Sequence, residues 1–184
     1  MCGGRGKRLE FDGEKPLYEI DGEPMIDRVI DALQASRIEE ILAVGSPHVP
    51  GTMAHVEVPA IEGVGEGYVS DLLVALESVE KPVLTVGADL PLLDGSAVDW
   101  VLDRYETGSA MVAVPAERKT ELGVSIDETT APDGQPVVPS GVNVVGDPEP
   151  EHTLMSTDPR FAVNVNRPRD ARIATHLARQ DGSR

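Results

Sequence analysis

The chain has 184 residues, 40% of them hydrophobic, and a formal net charge of −16, with 32 acidic against 16 basic side chains. That apolar content suits one folded domain over residues 1–184 and excludes a disordered polymer. The charge excludes nonspecific nucleic-acid binding and docking on anionic membranes, both of which need cations.

No apolar run approaches the roughly 20 residues that cross a bilayer, and no secretory leader is recognisable. The one cysteine, Cys2, allows no internal disulfide, and the four histidines are scattered. A cytoplasmic protein without membrane insertion or structural zinc is the expectation. The acidic residues are spread through the chain, as on a solvated face, and only four of the cations are lysine. Such self-repulsion is best tolerated where salt screens it, which points to a salt-adapted, haloarchaeal source.

In chain order, Gly3-Gly4-Arg5-Gly6-Lys7-Arg8 opens the protein, with Lys15 in Glu14-Lys15-Pro16-Leu17 close behind. Clustered glycines let backbone N–H groups turn together onto an anion, and the cations neutralise it. The pattern reads as a triphosphate loop. It lacks the Gly-Lys-Ser/Thr ending of a P-loop, which excludes that class of hydrolysis. Tyr18–Gly22 reads as an extended piece closed by an Asp-Gly turn. A helix is predicted from about Pro24, with Met25, Ile26, Val29, Ile30 and Leu33 on one face. Ile41–Gly45 reads as a buried parallel strand, and 56–58 as a short one.

Gly63-Val-Gly65-Glu-Gly67-Tyr68 leads into a second amphipathic helix over 69–79. Val83–Val86 is a buried strand running into Gly87-Ala-Asp89, and a helix follows from near Ser96. Ala110–Val114 is the next strand. Residues 116–135 and 146–160 read as polar loops, separated by a strand over 137–145 bulged around Pro139 and Gly141. Phe161–Asn166 reads as a last extended segment before a helix from Pro168 to about Arg179.

This alternation predicts an α/β fold: a three-layer, mostly parallel, Rossmann-like sheet with helices on both faces. Ligands gather at the carboxyl ends of strands in such sheets. Asp89 stands at such an end and suits either a Mg²⁺ ligand or a turn cap. Asn164 and Asn166 are its candidate partners, and alternation puts both on one face. Gly65, Gly67 and Asp71 suit a purine base, with Asp71 accepting from guanine; the other reading of Asp71 is a helix-start residue. Gly141 allows close backbone approach by ribose or acceptor. Only Met1 and Cys2 precede Gly3, where a buried strand is normal in this class. A truncated first strand, a start upstream of Met1 and weak anchoring of residues 1–9 are therefore expected.

The ordered set, Gly-Gly-Arg-Gly-x-Arg, Glu-Lys-Pro-Leu, Ser46-Pro47, Gly-Glu-Gly-Tyr-Val-Ser-Asp-Leu, Ala-Asp-Leu-Pro, Pro-Ser-Gly-Val-Asn-Val-Val and Asn-Val-Asn, resembles the MobA-like nucleoside-triphosphate transferase superfamily. Within it the set is similar to the archaeal adenosylcobinamide-phosphate guanylyltransferases. The resemblance implies GMP transfer from GTP to adenosylcobinamide phosphate, with pyrophosphate released, in assembly of the cobalamin nucleotide loop. It implies Gly3, Gly4, Arg5, Gly6, Arg8 and Lys15 as triphosphate contacts, and Gly65, Gly67, Asp71 and Gly141 as further GTP contacts. Asp89 and Asn166 become ligands of Mg²⁺ or another divalent cation, and Arg8, Lys15 and Asp89 the catalytic set. The partners are GTP and a corrinoid phosphate, and a homodimer is compatible. The alternatives are a molybdenum-cofactor guanylyltransferase, a sugar-phosphate nucleotidyltransferase and a GTP-binding sensor without turnover.

Overall fold

The computed structural model describes residues 1–3, 6–131 and 134–181. Two short strands, β1 (Glu19–Ile20) and β2 (Glu23–Pro24), form an antiparallel hairpin. Asp21 and Gly22 make its turn with φ of +54° and +83°; two positive φ values give the tight turn whose twist matches a hairpin. Next come α1 (Met25–Gln34), β3 (Ala43–Gly45), α2 (Pro50–His55), β4 (Ala60–Glu62) and α3 (Tyr68–Leu76). β5 (Val83–Val86), α4 (Gly95–Leu102), β6 (Ser109–Pro115) and α5 (Ala116–Leu122) follow. β7 (Val137–Val145), β8 (Glu151–Met155), α6 (Pro159–Ala162) and α7 (Pro168–Asp181) complete the order.

β3 and β4 pair in parallel. The other sheet has the order β5-β7-β6-β8, with β5, β6 and β8 running one way and β7 against its neighbours. This is the mostly parallel α/β arrangement that the alternation predicts. Met1 and Cys2 bridge the two sheets: Cys2 N donates to Val44 O at 2.8 Å, Met1 N to Val86 O at 2.9 Å, and Ala88 N to Met1 O at 3.0 Å. Cys2 and Leu9 are also buried, while no strand precedes Gly3 among the described residues. Beyond the dipeptide, a groove of about 1210 Å³ runs between β3 and β5, lined by Val29, Leu33, Ile38, Val83 and Leu84.

Four local readings need correction. The second short strand lies at 60–62 rather than 56–58. Residues 116–122 form α5 and 151–155 form β8, where loops were expected. Residues 159–162 are helical, so the extended reading of 161–166 fails at its start. Asp158 caps that turn by accepting from Arg160 N, and Pro159 supplies the preset φ of a first helical position. β7 does carry the predicted irregularity, a register shift where Met111 faces Asn143 and Ala113 faces Pro139. It lies inside the sheet, between β5 and β6.

The main core packs Val29 and Ala32 of α1 and Val98 and Val101 of α4 against Val86, Val112, Val142, Val144 and Phe161. A second cluster joins Leu9, Ile20 and Met25 to Val163, Val165, Ala171 and Ala174. It fixes the segment after α6 against the opening loop. Arg160 fastens two helix starts: its Nη1 donates to both oxygens of Asp94, at 2.6 and 2.8 Å, and its Nε to both of Asp158, at 3.0 Å. Burial alone would push both carboxyls up, but the bonds from Arg160 hold them below the ordinary carboxylate range. A depressed folded pKa contributes stability above the unfolded value of about 3.9 and loses it as pH falls through the lower folded value. Arg160→Ala is therefore expected to unfold at a higher pH than the parent in an acid titration followed by circular dichroism.

Candidate active site

The opening loop is built against its neighbours rather than free. Gly6 has φ of +58°, and a Cβ there would lie 2.5 Å from Lys15 Cβ, so only glycine lets the chain fold over the Lys15 stem. Glu14 Oε1 accepts from Gly51 N at 2.8 Å at the start of α2. That anchor turns the adjacent Lys15 inward. Ser46 Oγ donates to Gly3 O at 3.0 Å and holds the start of the loop beside β3. Gly4 and Arg5 lie outside the described residues.

Lys15 joins the two predicted metal ligands. Its Nζ donates to Asp89 Oδ2 at 2.7 Å and to Asn166 Oδ1 at 2.6 Å. Two oxygens from distant segments thus converge on one cation, held by Val165 N donating to Asp89 O at 2.9 Å. The donor set fits a hard divalent ion, which takes carboxylate and amide oxygens and completes its shell with phosphate and water.

Asn164 and Asn166 both face the cavity, and each serves a different lysine. Lys119 Nζ donates to Asn164 Oδ1 at 2.9 Å, while Asn164 Nδ2 donates to Ser140 O at 2.7 Å. The residue between them, Val165, is fully buried in the second core cluster. Lys119 is 3% exposed. Burial pushes its ammonium pKa down, against the opposing fields of Asp89, Asp170 and Asp127.

One cavity of about 710 Å³ contains Gly3, Lys15, Gly65, Gly67, Asp71, Asp89, Gly141 and Asn166 together with Lys119, Ser125, Asp127 and Asn164. At one end, Asp71 is 4% exposed and its Oδ1 accepts from Gly65 N at 2.8 Å. One of its oxygens therefore shapes the glycine loop, and its backbone N–H bonds Gly67 O within α3. The His48 ring meets Gly65 O at 3.2 Å. The Tyr68 hydroxyl reaches Thr85 Oγ1 at 3.0 Å, tying α3 to β5. Gly141 has φ of +86° and its O accepts from Gly87 N at 2.9 Å, which sets β7 beside the Asp89 turn.

Arg8 reaches Asp127 Oδ1 at 2.8 Å, as does Arg167. With its side chain 63% exposed, Arg8 is held at the mouth beside the cavity lining rather than inside it. Burial would push the Asp127 carboxyl up, but hydrogen bonds from Arg167 and the charge of Arg8 draw it below the usual range.

Sequence reading missed Lys119, Ser125, Asp127 and Asp170. Asp170 is 0% exposed and accepts from Ser125 N, Ser125 Oγ, Asn166 N and Arg167 N, at 2.7–3.1 Å. It orients Asn166 and fastens the Ser125 loop in one contact set. The one available signal for Lys119 was scarcity, since it is among only four lysines in a strongly acidic chain.

The family model of the MobA-like NTP transferase domain matches residues 1–141. An adenosylcobinamide-phosphate guanylyltransferase of Methanocaldococcus jannaschii is 26% identical over 99% of this chain and 97% of its own length. A protein of Thermococcus sibiricus described as a molybdenum cofactor guanylyltransferase is 30% identical over 60% of this chain and 57% of its own. Among solved structures, one described as a glucose-1-phosphate thymidylyltransferase from Bacillus anthracis superposes with a TM-score of 0.68. It covers 97% of this chain and 93% of its own at 13% identity, a likeness of fold. No helix among the described residues is long and apolar enough to cross a membrane. With its cationic loop, its Asp89–Asn166 pair and a matching family model over most of its length, this chain belongs to the MobA-like NTP transferase family and is a nucleotidyltransferase.

Proposed function

We propose that this enzyme transfers GMP from GTP to adenosylcobinamide phosphate and releases pyrophosphate. The observation that carries the choice of acceptor is the extent of likeness. Similarity to the M. jannaschii guanylyltransferase runs through β7 and Asn164–Asn166 to 99% of the chain, whereas similarity to the molybdenum-cofactor relative spans 60%.

The guanine would lie at the Gly65–Gly67 end, against Asp71, and the triphosphate would run past Gly3 and Gly6 to Lys15 and Arg8. Asp89 and Asn166 would hold the divalent ion, which supplies charge neutralisation on the phosphates when bound. No side chain has to act as nucleophile, because a phosphate monoester is already ionised near neutral pH. The protein's part is positioning and electrostatic stabilisation. Arg8 would exchange its Asp127 partner for a phosphate oxygen.

Incubation with GTP and either adenosylcobinamide phosphate or molybdopterin, in high salt to suit the −16 charge, separates the readings. Pyrophosphate release with the corrinoid is the expected result. Release with molybdopterin alone would replace this acceptor by the other. GTP binding without release in either case would favour the sensor.

A further inference from the structure

We propose that Lys119 binds the phosphate of the acceptor, at the Asn164 end of the Asn164–Asn166 segment, with Lys15 at the Asn166 end. The assignment rests on the guanylyltransferase reading and extends it to a residue outside the triphosphate loop.

A lysine ammonium has three donors. Among the described residues, Lys119 spends one on Asn164 Oδ1, and no carboxylate lies within ion-pair distance of it. A buried cation without a directly bonded anion is costly unless a ligand supplies one. Burial pushes its pKa down while the fields of Asp89, Asp170 and Asp127 oppose that shift, and the side chain lines the cavity. The site is therefore complete once an anion enters.

Its place in the network identifies which anion. The glycine loops, Ser46 and Asp71 contact one another at one end of the cavity. Lys15, Asp89 and Asn166 form the middle. Lys119 stands with Asn164 and Ser140, beside β7. In-line displacement puts the attacking oxygen and the leaving pyrophosphate on opposite sides of the α-phosphorus. An oxygen of the acceptor's phosphate forms the new P–O bond. The bond from the α-phosphorus to the α–β bridging oxygen breaks, and its electron pair leaves with pyrophosphate. Lys15 then serves the departing side and Lys119 the attacking side. The ligand class is a phosphate monoester, which includes both adenosylcobinamide phosphate and molybdopterin.

The test uses the full chain, Lys119→Gln and Lys119→Arg, with GTP affinity by calorimetry and steady-state kinetics in the acceptor that the parent uses. Lys119→Gln is expected to lower kcat/KM for the acceptor about 100-fold, the scale of one lost transition-state donor, with GTP affinity within twofold of the parent. Lys119→Arg keeps the charge and is expected to recover part of that loss; it decides the matter if the glutamine variant does not fold. GTP affinity falling in parallel with turnover would reassign Lys119 to the nucleotide and overturn the proposal. So would unchanged acceptor kinetics in both variants. A parent protein that transfers GMP to neither phosphate ester overturns the guanylyltransferase reading itself, and this assignment with it.

Discussion

Asp170→Ala is expected to cost about 3 kcal/mol of stability and to disable the enzyme even where it folds. The carboxylate is fully buried and accepts from two groups of Ser125 and from the N–H groups of Asn166 and Arg167. Removing an acceptor that leaves buried donors unmatched costs roughly 1–3 kcal/mol for each that water cannot reach. For a chain of this length, about 3 kcal/mol corresponds to a fall of roughly 6–12 °C in Tm. The functional loss has a separate cause. Asn166 would no longer be fixed against α7, so its oxygen would wander from the point it shares with Asp89. Calorimetric melting together with pyrophosphate release below the melting range tests both parts. A variant that melts early yet turns over normally when folded would limit Asp170 to a stabilising role.

Lys15→Met is expected to reduce turnover about 100- to 1000-fold, the range for losing one preorganised donor on developing charge. It is also expected to bind Mn²⁺ more tightly than the parent in the absence of nucleotide. The reason is geometric: Lys15 Nζ sits 2.7 Å from Asp89 Oδ2 and 2.6 Å from Asn166 Oδ1, so lysine and metal draw on the same two oxygens. In the parent, an entering ion must displace the ammonium, which then has the triphosphate to bind. Without nucleotide the displaced charge gains no partner. Titration calorimetry with Mn²⁺, with and without GTP, reads the effect directly. Equal metal affinity in both proteins would mean that the ion lies elsewhere.

The parts of the fold legible beforehand were those with strong periodicity or strong breakers. α1 was readable from Met25, Ile26 and Val29 on one face, and β5 from the mostly apolar Val83-Leu84-Thr85-Val86 between Pro82 and Gly87. α5 was not, because Lys119 is the residue it buries, so its inward face reads as polar. β8 lies at the sheet edge and is mostly exposed, which removes the alternation that marks a half-buried strand. Phe161 and Ala162 mimicked a strand because these two buried residues run directly into the apolar Val163, although Asp158-Pro159 carried the helix-start signal.

The candidate site divides the same way. Gly3, Lys15, Asp71, Asp89, Gly141 and Asn166 were named from motif positions and share one cavity. Whether Asn164 or Asn166 meets the Asp89 side was beyond alternation, since both point the same way. It was decided by which lysine each reaches. Arg8 was placed among phosphate contacts, but its ion pair with Asp127 depends on a residue more than a hundred positions away that no local pattern could supply.

The junction between the two sheets carries one further consequence. Ser46 and the Gly65 loop belong to the β3–β4 side, while Asp89 follows β5, Asn143 lies on β7 and Lys119 sits on α5, after β6. Among the described residues, the bonds across this junction include those of Met1 and Cys2 and the Tyr68–Thr85 hydroxyl pair, with α1 packing against both sides. The cleft therefore straddles the junction between the two sheets. The spacing between its Gly65 wall and its Asp89 wall is set by contacts across that junction and by α1 rather than within either sheet.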